Sequence, residues 1–341
     1  MNRGDPEAAT DSRSGVPLSS PPSKPDRLGF AVKVTGQPGM KDHDGRRWQS
    51  GPHLRISIAY LDAIFDYLAE TGIRMYRISS DIAPYVTHPD LPGFHRQIEE
   101  CGDELATLGA KARRLDLRLS MHPSQYIVLN SPEERVARSA VADFAYHAAF
   151  LDALGAGPEA KIVTHVGGVY GDRASAIDRF VARHEALPDA VRRRLILEND
   201  EVSYPVVDTL AIHERTGVPL VFDILHHRVN DPAGMPPEDA WRRCVETWPE
   251  GQTPKMHYSS QRRAEREMSR RNRVTGERTR SLQAAKAGQH DDWIDPEDFL
   301  NFLRQTAGYG YDVMLETKQK DLALLRLREA IAEAGLGGRI W

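Results

Sequence analysis

The chain has 341 residues with a formal net charge of −4, and 40% of its residues are hydrophobic and 28% charged. This composition is typical of a globular protein with a large core, and it excludes a chain that is basic throughout. The only cysteines, Cys101 and Cys244, exclude a disulfide framework and a cysteine metal site, and no apolar run reaches the length of a membrane span.

The chain divides into a polar start and a regular repeat. Residues 1–27 are rich in Pro, Ser, Asp and Gly, which predicts a disordered tail. From residue 28 onward, short apolar runs alternate with longer helical periodicities in eight pairs. The predicted strands cover residues 28–34, 73–79, 117–121, 161–165, 195–198, 219–223, 254–258 and 311–316.

This alternation predicts the fold class. Strands that alternate with helices form right-handed βαβ units with parallel strands, and eight units are the number that closes a barrel. We therefore expect a single α/β domain, a TIM-type (β/α)8 barrel over residues 28–335. A doubly wound open sheet is the alternative, although no G-x-G-x-x-G follows the first strand.

One segment does not fit the repeat. Residues 261–287 hold nine Lys or Arg against three Glu, in a chain that is acidic as a whole. Such an insertion is either a solvated charged segment or an arm that follows phosphates on a nucleic acid.

Ionisable residues end six consecutive predicted strands, where parallel α/β folds bind their ligands. Burying so many imidazoles and carboxylates together is costly unless cations compensate their charge. A nitrogen and oxygen ligand set without thiolates favours manganese, with zinc or magnesium as alternatives, and three ions could be held. Glu198, midway around the set, is the candidate for a carboxylate that bridges two ions. The residues are His122, His165, Glu198, Asp223, His226, Lys255, His257 and Glu316, with His290 after the basic insertion.

Lys255 is the unusual member of this set. It precedes His257 by two positions, so both side chains point to the barrel axis. A metal cluster would repel its ammonium group. Lys255 therefore either pairs with the carboxylates or is modified to an acidic form.

With these residues assembled, the chain resembles the UV damage endonuclease family over about residues 28–331. That family is similar in fold and trinuclear metal site to endonuclease IV. The matching motifs are Leu28-Gly29-Phe30, Tyr76-Arg77-Ile78-Ser79-Ser80, His122-Pro123-Ser124-Gln125-Tyr126, His165-Val166-Gly167-Gly168, Leu197-Glu198-Asn199-Asp200, Asp223-Ile224-Leu225-His226-His227, Lys255-Met256-His257-Tyr258-Ser259 and Met314-Leu315-Glu316.

The resemblance implies a role for each site residue. His122, His165 and Glu198 would bind one ion, Glu198, Asp223, His257 and Glu316 a second, and His226 and His290 a third. Glu198, Glu316 and a carboxylated Lys255 would be the catalytic residues.

The expected DNA contacts come from outside this ligand set. The resemblance implies that Gln125 and Tyr126 are a probe inserted into the duplex at the lesion. Arg77, Lys318 and Lys320 are candidates for further contacts with DNA.

The function expected from these features is DNA repair. The chain would hydrolyse the phosphodiester on the 5′ side of cyclobutane dimers and 6-4 photoproducts, with abasic sites as a further candidate. Its partner would be double-stranded DNA in the cytoplasm, and no obligate protein partner is implied. A metal-dependent sugar isomerase or epimerase barrel and a non-catalytic DNA-binding barrel are the alternatives.

The chain departs from the family pattern in two places. The family commonly has Tyr in the place of Phe30 and Asn in the place of Val34, so two polar groups are missing from the first strand. The basic insertion also lengthens the spacing between His257 and His290.

Overall fold

The structure, a computed structural model, describes residues 25–271 and 275–341. The predicted disordered tail therefore lies, as far as residue 24, outside the described residues. Eight parallel strands close in the order β1-β10-β7-β6-β5-β4-β3-β2, which confirms the predicted TIM-type barrel. The described residues contain ten strands, of which β8 and β9 lie outside the barrel: β1 (Leu28–Ala31), β2 (Met75–Ile78), β3 (Arg118–Met121), β4 (Lys161–His165), β5 (Leu195–Glu198), β6 (Leu220–Asp223), β7 (Lys255–Tyr258), β8 (Arg266–Arg271), β9 (Arg278–Gln283) and β10 (Asp312–Leu315).

Helices cover the outside of the barrel because each has one apolar face. In α1, Leu61, Phe65 and Leu68 recur at helical spacing and are fully buried. The helices are α1 (Leu54–Glu70), α2 (Gln97–Glu100), α3 (Gly102–Arg114), α4 (Glu134–Ala153), α5 (Arg173–Glu185), α6 (Asp189–Arg192), α7 (Val206–Thr216), α8 (Ile224–Val229), α9 (Pro237–Val245), α10 (Pro296–Gln305) and α11 (Lys320–Glu333). None of the helices in residues 25–271 and 275–341 has both the length and the apolar character that a membrane span requires.

The first strand is shorter than predicted. It ends at Ala31 because Val32 has a φ of 66°, a left-handed conformation that a β-branched residue rarely adopts. The turn is held by the Val32 N–H, which donates to the Arg77 carbonyl at 2.9 Å, and by the Tyr76 hydroxyl, which donates to the Val32 carbonyl at 2.5 Å. Residues 32–34 therefore leave the sheet, and the β1–α1 loop begins at the barrel mouth.

The barrel interior is layered because alternate strand residues point inward. At the lower end Arg118 and Asp312 form an ion pair of 2.8 Å, with both side chains 2% exposed. Apolar residues of the interior include Met75 and Val163. Because every second strand residue points inward, the ionisable residues at the carboxyl ends of the strands form the uppermost layer of the interior.

Both ends of the described chain meet below β1. The Asp26 N–H donates to the Arg339 carbonyl at 3.0 Å, and the Trp341 N–H donates to the Asp26 carbonyl at 2.7 Å. These hydrogen bonds join the first described residues to the last ones.

The basic insertion forms a β-hairpin. Strands β8 and β9 pair with each other in antiparallel fashion, and they form a two-stranded sheet separate from the barrel. An antiparallel bridge between Gln261 and His290 marks the base of the hairpin.

Candidate metal centre

The predicted ligands meet at the upper end of the barrel. Strand register places His165 beside Glu198 and Asp223 beside His257. The carboxyl ends of all eight barrel strands point to this mouth, which is where TIM barrels carry their sites.

Glu198 lies at the centre of the group. Its Oε2 is 3.1 Å from His122 Nε2 and 3.6 Å from His165 Nε2. Its Oε1 is 2.8 Å from His257 Nδ1 and 3.6 Å from His226 Nδ1. Each carboxylate oxygen thus faces a different pair of imidazoles, as a bridging ligand would.

Glu316 joins the group from the other side. Its Oε1 accepts a hydrogen bond from Arg77 Nη1 at 2.5 Å and lies 3.2 Å from His257 Nδ1. Its Oε2 is 3.8 Å from His290 Nδ1. Arg77, predicted to contact DNA, is thus also the residue that orients Glu316.

The backbone of Asp223 is held by the side-chain amide of Asn199. Its N–H donates to Asn199 Oδ1 at 2.9 Å, and Asn199 Nδ2 donates to its carbonyl at 3.0 Å. Asp223 Oδ1 accepts from the His226 N–H at 2.8 Å, while the fully buried Oδ2 has no hydrogen-bond partner among the described residues. These hydrogen bonds hold Asp223 in place and leave its Oδ2 free.

Burial and mutual repulsion control the charges of these side chains. Burial opposes ionisation of Glu198, but the charges of His257 and His165 hold its pKa well below the usual value. Burial raises the pKa of Asp223, and the charges of Glu198 and Glu316 act in the same direction. Burial also lowers the pKa of His122 and so favours the neutral imidazole that a metal requires.

These residues fit a metal centre. The group His122, His165 and Glu198 and the group Glu198, Asp223, His257 and Glu316 each offer ligand atoms that lie within 4.8 Å of one another. The free Asp223 Oδ2 and the cluster of buried carboxylates are the features that a cation would satisfy. With nitrogen and oxygen donors only, the set suits borderline and hard divalent ions.

His226 and His290, the predicted ligands of a third ion, are neighbours as well. Their ring centroids are 6.0 Å apart. His226 Nδ1 lies 3.0 Å from the Asn199 carbonyl, and its Nε2 lies 3.6 Å from Glu201 Oε2. Sequence reasoning named Asn199 only as part of the motif of residues 197–200, without a role, and missed Glu201, although both follow the β5 end within three residues of Glu198.

Lys255 lies inside the barrel below the ligands. Its side chain is 3% exposed, and Nζ has no hydrogen-bond partner among the described residues. Burial lowers the pKa of this lysine well below its usual value, and the charges of Arg118 and Arg77 add to the effect. Lys255 is therefore buried without a carboxylate partner among the described residues, and burial favours its neutral amine.

The predicted DNA-contacting residues surround the mouth. Gln125 and Tyr126 lie in the loop after β3, both exposed, and Tyr126 is 77% exposed. Lys318 is exposed, whereas burial lowers the pKa of Lys320 to about 8 with Arg77 as a further cause. A cavity of about 510 Å³ opens beside His122 and Glu316.

The two departures on the first strand have a structural explanation. Phe30 is fully buried, with its ring centroid 5.4 Å from that of Tyr76 in an edge-to-face contact. Val34 is 7% exposed and belongs to the same apolar cluster. Both side chains therefore pack in the core.

The likeness to known proteins agrees with this geometry. The model of the UV-endonuclease UvdE family matches residues 56–335. A UV DNA damage endonuclease of Bacillus velezensis is 35% identical over 269 residues, which cover 78% of this chain and 77% of that protein. The crystal structure of SacUVDE is 29% identical, with a TM-score of 0.75, and the match covers 91% of this chain and 99% of that chain.

Two more distant structures share the barrel. A D-psicose 3-epimerase and the endonuclease IV of Thermus thermophilus are both 14% identical, with TM-scores of 0.54 and 0.50. The matches cover 92% and 91% of this chain, respectively, and the whole of each matched chain. At this sequence identity the similarity shows the fold alone. From the family match and the similarity to the Bacillus velezensis protein, we conclude that this chain belongs to the UV-endonuclease UvdE family.

Proposed function

We propose that this protein is a metal-dependent DNA repair endonuclease that hydrolyses the phosphodiester on the 5′ side of UV photolesions in double-stranded DNA. The observation that carries the proposal is the position of Glu198, whose two oxygens belong to both candidate ligand groups at the barrel mouth. Cyclobutane dimers and 6-4 photoproducts are the proposed substrates, and abasic sites are an additional one. The protein would act in the cytoplasm, where bacterial DNA lies.

The proposed metal content is three divalent ions, with manganese favoured over zinc and magnesium. His122, His165 and Glu198 would hold one ion, Glu198, Asp223, His257 and Glu316 a second, and His226 and His290 a third. When bound, such ions orient a phosphate, neutralise its oxygens and lower the pKa of a water molecule.

The protein's own residues would prepare the site for this reaction. Arg77 fixes Glu316 through the 2.5 Å hydrogen bond, and Asn199 fixes the backbone of Asp223. The neutral amine of Lys255, which has no hydrogen-bond partner among the described residues, can react with carbon dioxide to form a carbamate and release a proton, and this would place a negative charge near the ions.

The exposed loop after β3 supports lesion recognition. Tyr126 carries an aromatic ring into solvent and Gln125 precedes it, so together they can replace lost stacking in the duplex. A damaged step is cheaper to unstack than an intact one, and the cavity of about 510 Å³ beside His122 could receive a displaced base. Lys318 and Lys320 would approach phosphates at the same mouth.

The test is nicking of an end-labelled duplex that contains a single cyclobutane dimer, with manganese present. An abasic duplex and an undamaged duplex are the comparison substrates. We expect a nick immediately 5′ to the dimer with the wild-type protein and none with Glu198→Gln, which removes the shared charge and keeps the size. Glu185→Gln, at the end of α5, is the matched control and should cut like the wild type.

Other outcomes would support other functions. Cutting of the abasic duplex alone would support metal-dependent cleavage and contradict the role of Gln125 and Tyr126 as a lesion probe. Failure to cut any duplex by a metal-loaded protein would contradict the proposal and favour a sugar isomerase or epimerase. A protein that binds DNA, holds fewer than two ions and tolerates a chelator would be a non-catalytic DNA-binding barrel.

A further inference from the structure

The hairpin of β8 and β9 begins at the candidate metal centre. Its base is the bridge between Gln261 and His290, and His290 Nδ1 lies 3.8 Å from Glu316 Oε2. The Arg262 N–H donates to the Gln289 carbonyl at 2.8 Å directly beside this bridge. Any duplex that places a phosphate at the ligands must therefore pass close to the hairpin.

The base of the hairpin is well anchored. Gln261 Nε2 donates to the Lys286 carbonyl at 2.8 Å, and its Oε1 accepts from the Gly288 N–H at 2.8 Å. Gly288 has a φ of +77°, and a Cβ at this position would lie 2.8 Å from Glu201 Cγ, so the base packs closely on the loop that faces His226. These contacts fix the base of the hairpin beside the loop after β5.

The outer part of the hairpin carries a concentration of positive charge. The register pairs Arg271 with Arg278, so two like charges lie directly opposite each other on one face, and Arg280 belongs to the same face. Arg280 is 76% exposed and lies 3.4 Å from Glu267, a pair that water screens. A like-charge pair weakens a ribbon by itself, and an external anion would remove this cost.

We propose that this hairpin is a DNA-binding arm that contacts the phosphate backbone of the duplex flanking the scissile bond. The inference rests on the proposed function. Each strand of six residues extends about 20 Å, so the arm can follow the duplex over roughly half a helical turn. Arginines on an exposed two-stranded ribbon suit phosphates without reading bases, as required for a protein that must bind any sequence.

Two variants test the arm. The first replaces residues 266–283 with Asn-Gly, which closes the shortened hairpin with a two-residue turn and keeps the bridge between Gln261 and His290. The second, Arg271→Gln with Arg278→Gln and Arg280→Gln, removes three exposed charges. The matched control is Arg114→Gln with Arg243→Gln and Arg304→Gln, which removes three exposed charges near the C-terminal ends of α3, α9 and α10, at the opposite end of the barrel.

The readout is the dissociation constant for an undamaged 30-base-pair duplex as a function of salt concentration. If the three arginines each neutralise a phosphate, the slope of log affinity against log salt should fall by about 2 to 3, and affinity at 0.15 M salt should fall on the order of 100-fold. The control triple variant should keep the wild-type slope. The nicking rate at saturating damaged DNA in low salt should stay at the wild-type value in both hairpin variants.

An unchanged slope in the hairpin variants, or an equal fall in the control, would overturn the inference. If the slope is unchanged while the wild-type protein nicks damaged DNA, only the arm is refuted, and the hairpin would then be a solvated charged segment. If the wild-type protein nicks no duplex but the slope still falls, the arm stands and the proposed endonuclease function fails.

Discussion

His257 Nδ1 lies 2.8 Å from Glu198 Oε1, and the two side chains are 0% and 1% exposed. The residues are 59 positions apart, on β7 and β5. Because β6 separates these strands, the contact exists only across the curved interior of the closed barrel. The second oxygen of Glu198 faces His122, so this single carboxylate joins the two candidate ligand groups.

Asp223→Asn should change stability in opposite directions with and without metal. In metal-free protein the change removes a buried negative charge that burial and the carboxylates Glu198 and Glu316 disfavour, so the free energy of unfolding should rise. With manganese the wild-type protein should gain about 2.7 kcal/mol at a hundredfold excess over the dissociation constant, and the variant should gain clearly less. Melting temperatures measured with and without a chelator check both signs. Asp189→Asn is the control, because the Asp189 side chain is 86% exposed. If manganese stabilises Asp223→Asn as much as the wild-type protein, Asp223 is not a metal ligand.

Gln125→Ala combined with Tyr126→Ala should reduce lesion selectivity. Loss of base stacking on an aromatic ring costs about 1 to 3 kcal/mol, so the preference for a dimer over undamaged DNA should fall about tenfold or more. Both side chains are exposed, so the melting temperature should stay unchanged. Single-turnover nicking of the two duplexes gives the ratio. The lesion-probe role fails if the ratio equals that of the wild-type protein.

Arg118→Met should destabilise the barrel without changing the ligands at its mouth. Arg118 donates to Asp312 Oδ2 at 2.8 Å and to the Thr253 carbonyl at 2.8 Å in a buried environment. Removing one partner of a buried ion pair costs about 3 to 5 kcal/mol. Urea denaturation should show this loss, and Arg114→Met, on an exposed site of α3, should show little change. A loss below 1 kcal/mol would mean that Arg27, which also contacts Asp312, compensates fully.

Lys161 should make stability depend on pH in the alkaline range. Burial lowers its pKa from 10.5 to about 8, and the charges of Arg118 and Arg194 contribute. Between these values the unfolded chain binds more protons than the folded protein, so this lysine makes stability rise as the pH increases from about 8 to about 10.5. Urea denaturation of the wild type and of Lys161→Met at pH 7 and pH 10 isolates this contribution. The wild type should gain stability relative to the variant at pH 10, and a pH-independent difference would contradict the assignment.

Much of the barrel could be predicted because its pattern is local. All eight predicted strands contain an observed barrel strand, since short apolar runs and turn residues mark each repeat without reference to distant residues. The main difference, the early end of β1, comes from the left-handed backbone of Val32, which the contacts with Tyr76 and Arg77 support. Such an exception depends on packing and leaves no signal in the residue pattern.

The sequence by itself determined the chemical character of the site: imidazoles and carboxylates without thiolates, most of them at or just after the end of a strand. Only the tertiary structure decided which atoms meet. Arg77 and Glu316 are 239 positions apart, yet they share a 2.5 Å hydrogen bond. Glu201, which the pattern did not single out, lies 3.6 Å from His226. The physical reason is range. Strand periodicity is set by neighbouring residues, whereas the distances between ligands depend on the closure of all eight strands into one barrel.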